Sequence, residues 1–169
     1  DFTIDVAGDI ILDADGGDIF LADDSVTFGK LRNSSSHFFI QSLVADKDIL
    51  IIGNDGGSEV TAVEFDMSDA GTAIFNHDAK FADNGKAIFG AGSDLQIYHN
   101  GSNSYIQDHG TGDLVIAGTN LSLRNFSTDE LFFDGTANGA VRIWYNGSAK
   151  LATTNTGIDV TGTVNFGSL

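Results

Sequence analysis

The stretch LQIYHNGSNSYIQDHG, residues Leu95–Gly110, has a second version later in the chain, VRIWYNGSAKLATTNTG, residues Val141–Gly157. Leu95 aligns with Val141, Ile97 with Ile143, Tyr98 with Trp144, His99 with Tyr145, and Asn100-Gly101-Ser102 with Asn146-Gly147-Ser148. Asn-Gly is the dipeptide that best accepts positive φ at both centres of a tight I′ turn, so each segment reads as a β-hairpin. A two-residue turn at Asn100-Gly101 pairs His99 with Ser102, Ile97 with Ser104 and Leu95 with Ile106. Tyr98 and Tyr105 then sit diagonally on the opposite face. The same turn at Asn146 puts Val141 and Ile143 on one face and Trp144 on the other. Each hairpin thus has an aliphatic face and an aromatic, polar face. A lone two-stranded hairpin is marginal in water, so each needs a neighbour to cover its aliphatic side.

The rest of the chain is punctuated in the same way. Asn-Gly recurs at Asn84-Gly85 and Asn138-Gly139, and Asp-Gly occurs at Asp15, Asp55 and Asp134. Short apolar runs lie between. Phe2, Ile4 and Val6 alternate with Thr3 and Asp5, and Thr61, Val63, Phe65 and Met67 alternate with Ala62, Glu64 and Asp66. DILIIG, Asp48–Gly53, is apolar on both faces, as in a strand buried on both sides. GDIILDAD (Gly8–Asp15) returns as GDIFLADD (Gly17–Asp24), and GDLVIAG at Gly112 is followed by TNLSLRN at Thr119. Such spacing predicts turn-strand rungs, in a solenoid or a meander. Only Ser68–Asp83 would accommodate a helical turn.

Composition agrees. Of 24 acidic residues 21 are Asp, and there are 21 Gly, no Pro and no Cys. Asp and Gly serve turns where Glu serves helices, so the bias predicts many turns and little helix. Thirteen Phe supply strand material. The expected fold is therefore all-β, built from short repeated strands and hairpins in a β-solenoid-like or β-prism-like arrangement. Three regions are expected: a β-repeat, shaft-like region over 1–66, a connecting segment over 67–89, and the hairpin-repeat region over 90–169.

A net charge of −16 disfavours nucleic acid, whose phosphates require a basic surface. No apolar run reaches the ~20 residues of a membrane-spanning helix. The opening DFTIDVAGD already alternates like a strand and lacks an initiator Met, so the chain is expected to be a piece of a longer polypeptide.

From about Gly90 to Val164, roughly half the chain, the order and spacing of motifs resemble the distal repeats of tail fibre proteins of marine bacteriophages, including cyanophages. SDLQIYHNGSNSYI, the following TGDLVIAG, and the closing AVRIWYNGSAKLATTNTGIDVTGT carry the resemblance. The Gly-Asp-Ile repeats of the first half are similar to low-complexity β-repeats upstream in such viral proteins. The resemblance implies a non-enzymatic virion structural protein: an extracellular tail fibre segment, elongated and intertwined as a homotrimer. Its implied partners are copies of itself, other tail proteins and a host cell-surface receptor. The ending GTVNFGSL would then be a processing boundary or the edge of the piece. Two rivals stay open, a secreted bacterial adhesin or surface-layer module and a polysaccharide depolymerase.

Candidate chemistry is sparse. Asp13, Asp15 and Asp18 begin like a calcium or magnesium loop, but Gly17 and Asp18 stand where such a loop wants Asp or Asn and then Gly, and no Glu closes it. Turn-forming Asp explains the same residues. His37, His77, His99 and His109 show no metal-ligand spacing, and no G-x-S-x-G nucleophile motif occurs. Tyr98, Tyr105, Trp144 and Tyr145, with Asp108, are candidates for a saccharide platform, since aromatic faces stack on sugar C–H and polar groups bond hydroxyls. Cross-strand aromatic packing is the competing role for the same rings.

Overall fold

The computed structural model describes residues 3–167. The alternation expected from Phe2 onward therefore falls partly outside the described residues. Fourteen strands and no helix are found among them. The chain divides into two units, Asp1–Ala82 and Asp83–Leu169, and the division lies within the 67–89 stretch.

The first unit holds two three-stranded antiparallel meanders. One runs β1 (Asp18–Asp23), β2 (Val26–Ser34), β3 (His37–Ser42); the other runs β4 (Ile49–Asp55), β5 (Ser58–Asp66), β6 (Thr72–Phe75). The second unit holds β7 (Lys86–Phe89), β8 (Leu95–His99), β9 (Ser104–Asp108) in one sheet. Its other sheet has five strands: β10 (Asn120–Arg124), β11 (Leu131–Thr136), β12 (Val141–Tyr145), β13 (Ser148–Thr153) and β14 (Ile158–Val160). No sheet closes into a barrel. Every substantial strand–strand contact joins sequence neighbours.

Turn chemistry sets these registers. Four hairpins close on two residues with positive φ: Asp24-Ser25 (φ 46° and 67°), Ser35-Ser36 (51° and 66°), Gly56-Gly57 (60° and 96°) and Asn146-Gly147 (49° and 70°). Two of the four use no glycine. Asn138 (φ 57°) sits in a turn with Gly139, whose amide donates to the Thr136 carbonyl. Asn84 (φ 66°), followed by Gly85, leads into β7, and its amide donates to the His99 carbonyl. Asp134-Gly135, expected as a turn, lies inside β11, where both residues are paired on each side.

Asn100-Gly101 also departs from expectation. The loop is four residues, Asn100 to Asn103, and the Asn100 side chain accepts the amides of Ser102 and Asn103. His99 pairs with Ser104, Tyr98 with Tyr105 and Ile97 with Ile106. Both registers keep the faces, but only this one sets ring against ring and isoleucine against isoleucine. At Asn146 the two-residue turn forms, and a bulge corrects the faces. Trp144 pairs with Ala149, Lys150 is the extra residue, and Leu151 rather than Lys150 meets Ile143. Two copies of one motif thus reach the same patterning by different turns.

The result is an apolar row running across each sheet. Leu123, Phe133, Ile143, Leu151 and Val160 form a row across the five-stranded sheet. Ile97, Ile106 and Ala87 do so in β7–β9, and Ile51, Val63 and Phe75 in β4–β6. None of these faces is covered. Among the described residues no hydrophobic side chain is buried, and Gly29 is the one buried residue. DILIIG, expected to be buried on both sides, forms the exposed edge strand β4. The rungs GDIILDAD and GDLVIAG are not strands. Their apolar centres have no neighbouring strand to pair with, and Ile11 and Val115 are 85% and 75% exposed.

Candidate functional site

The structure separates the predicted aromatic platform into two places. In β7–β9, Tyr98 and Tyr105 stack with centroids 4.8 Å apart and planes 17° apart. The Lys86 ammonium lies 4.5 Å from the Tyr98 ring centroid. Tyr98 donates its hydroxyl hydrogen to Gln107, and the side-chain amides of Asn100 and Asn103 donate to the Tyr105 hydroxyl. The Tyr98 ring is therefore engaged by a tyrosine and a cation. Asp108 is opposite Leu95, on the face that carries Ile97 and Ile106. It accepts the Gly110 amide at 2.8 Å, away from the tyrosines.

In β10–β14, Trp144 is locked by its edge. Its Nε1 donates to Asp134 Oδ1 at 2.7 Å, and Arg142 grips the same carboxylate with Nε at 3.1 Å and a second nitrogen. The guanidinium carbon is 5.2 Å from the Trp144 ring centroid. Hydrogen bonds from Arg142, then from Trp144, hold the Asp134 carboxyl below the usual carboxylate range, and the same pairing raises Arg142. Tyr145 is 73% exposed.

Sequence reasoning missed two residues beside Trp144 and Tyr145. Phe132 is the extra residue of a bulge, since Leu123 pairs with Phe133 and Arg124 with Leu131. Glu130 Oε1 accepts the Gly147 amide at 2.9 Å, pinning the Asn146 turn. Phe132, Glu130, Leu131, Trp144, Tyr145 and Asn146 line a hollow of about 430 Å³. A bulge cannot be read from an apolar run such as LFF, so nothing in the sequence singled out Phe132.

The acidic candidates are also placed. Asp18 is paired with Lys30 at 2.8 Å. Asp13 and Asp15 are exposed, Asp15 in the turn closed by the Gly17 amide on the Ala14 carbonyl. Among the described residues no group of three His, Cys, Asp or Glu side chains is placed to hold a metal ion. His99 and His109 bond Ser104 and Gln107.

No family model matches this chain, and no curated protein or solved structure matches it.

Proposed function

We propose that the chain is a segment of a virion tail fibre, a non-enzymatic building element that assembles with copies of itself as a homotrimer and presents an outer face for host-surface recognition. The observation that carries the reading is the missing core. The chain exposes 13997 Å². A compact monomer of 17.8 kDa would expose about 8000 Å², and two separate compact bodies of half that mass about 9600 Å². At least about 4000 Å² per chain is left over, on the scale of obligate interfaces rather than transient ones.

The uncovered surface has an organised pattern. Each sheet carries an aliphatic row on one face, and in three of the sheets cations lie over aromatic rings opposite: Lys86 over Tyr98 and Arg142 over Trp144, with Lys30 over Phe20 and Arg32 over Phe39 in β1–β3. Copies of the chain supply the same chemistry to every aliphatic face at once. They also offer strand partners to Ile10–Leu12 and Leu114–Ile116. The tail fibre assignment and the count of three rest on the resemblance of residues 90–164.

Sedimentation equilibrium tests this. The expected mass is three times 17.8 kDa. A single-chain mass at micromolar concentration would overturn the reading.

A further inference from the structure

We propose that the hollow between the ends of β11 and β12 binds a neutral saccharide. The proposal rests on the reading of the chain as a surface-recognising segment and names the site and ligand class within it.

The site is built by two strands that part. The β11–β12 ladder runs from Gly135 opposite Val141 to Phe133 opposite Ile143 and is not continued toward the Asn146 turn. Both flanking ladders are bulged at this level, between Leu123 and Arg124 and between Ile143 and Trp144. Bulges bend and twist a strand and re-aim side chains, and here they open a fork. Phe132, 52% exposed, comes from one arm, and Trp144 and Tyr145 from the other. The Glu130 bond to Gly147 ties the mouth of the fork together.

The chemistry of the lining selects the ligand. Three aromatic side chains supply flat apolar area for the C–H face of a pyranose ring. Trp144 is held in place by Asp134, so its ring costs little entropy to present. Polar groups stand beside the rings with capacity to spare. One Glu130 oxygen is used by Gly147, leaving the other, and among the described residues the Asn146 carboxamide and the Tyr145 hydroxyl make no hydrogen bond. A carboxylate acceptor, a carboxamide and a phenol suit a polyhydroxylated ring better than a plain hydrocarbon. The volume, about 430 Å³, falls within the usual range for small-ligand sites. No Lys or Arg lines the hollow. Arg142 is already paired with Asp134, and the chain carries −16. An acidic or sulfated sugar would meet like charge without a cation to receive it, so the class is neutral.

Trp144 is the chain's one tryptophan and reports on the site directly. The assembled protein is titrated with neutral hexaoses (cello-, malto- and manno-series) and with acidic ones (alginate and heparin oligomers), following Trp emission. The expected result is a saturable change with at least one neutral series, weakened about tenfold by Tyr145→Ala, an exposed position whose loss leaves the sheet pairing intact. Phe132→Ala is expected to weaken it similarly. Silence toward every neutral series up to about 10 mM, a response unchanged by Tyr145→Ala, or tighter binding of the acidic series would each overturn the proposal. Mass measured on the same samples separates the two readings: a trimer silent to sugars sinks the site alone, and a sugar-binding monomer sinks the trimeric fibre reading alone.

Discussion

Trp144 and Asp134 stand on adjacent strands, and the indole N–H of one meets the carboxylate of the other at 2.7 Å. Arg142 completes the group on the same carboxylate. The side chain of Asp134 is only 14% exposed, so its partners replace water rather than add to it. Asp134→Ala removes both anchors and leaves a partly buried cation unpaired. The expected outcome is a lower Tm and a red-shifted Trp emission. Arg142→Lys should shift both less, because Lys keeps the charge and loses the fork. Thermal melts read by Trp fluorescence check the order.

Acid should act through the same carboxylate. The folded Asp134 has a pKa below its ordinary value of 3.8, and Asp66 does too, chiefly through the Ser68 hydroxyl. A depressed carboxyl contributes stability that is full above the unfolded pKa and is lost as pH falls through the folded one. Stability should therefore be flat from pH 7 to about 5 and fall below about 4. Asp134→Asn should flatten that acid limb. An acid limb unchanged by this substitution would show that other carboxyls dominate it.

Two turns hold serine where glycine fits better. Ser35 and Ser36 both have positive φ, as the strand twist of an I′ hairpin requires. Ser36→Gly should stabilise the protein by about 0.5–1 kcal/mol, the steric relief exceeding the added freedom of the unfolded chain. Gly147→Ala should do the reverse, at about 1–2 kcal/mol, although nothing lies within 4 Å of the new methyl group. Gly157→Ala, at a position equally uncrowded and without positive φ, serves as the control. Urea midpoints of the three variants test this.

The apolar row predicts what stops assembly. Ile143→Asp places a carboxylate at the centre of the Leu123–Val160 row, and Leu151→Asp does so one strand on. Either should convert the proposed trimer to single chains. Ser122→Asp, on the opposite face beside Asp134, should leave the mass unchanged. Sedimentation of the three variants separates the faces.

Charge adds a salt dependence. Three chains of −16 carry −48, and self-repulsion opposes a compact assembly. Screening shortens from ~10 Å at 0.1 M salt to ~3 Å at 1 M. Tm at fixed protein concentration should rise with sodium chloride, and a Tm independent of salt would show the acidic side chains to be too dispersed to matter.

The all-β class was legible because it depends on short-range chemistry. Alternation fixed the faces of β8 and β12, and of β5 only from Val63 onward, because a bulge at Ala62 turns Thr61 to the other face, and Asn146-Gly147 fixed its own turn. What failed depends on pairing that no local signal reports. IILD and LVIA have strand composition, but a strand also needs a neighbour within the chain. Asp134-Gly135 has turn composition, yet Arg142 and Trp144 across the ladder hold Asp134 in a strand. Asn100 spends its side chain on two amides and lengthens its loop, which no dipeptide rule reports. Of the five aromatic-platform candidates, Trp144 and Tyr145 share a hollow, Tyr98 and Tyr105 pack on each other, and Asp108 lies across the sheet. Phe132 and Glu130 entered through a bulge and a turn contact.

Strands that pair only with their sequence neighbours have a consequence in time. Each meander is a set of local hairpins, and hairpins of this kind close in about 1–10 μs. No long loop has to close first, so chain topology sets no slow step. In the proposed trimer the slow step is then the meeting of separate molecules, whose rate rises with concentration. Dilution should slow the acquisition of a rigid state without slowing the appearance of strand signal in the far ultraviolet. For the same reason the proposed trimer would have a Tm only at a stated concentration, because a state held together by partners melts at a temperature set by how many partners are nearby.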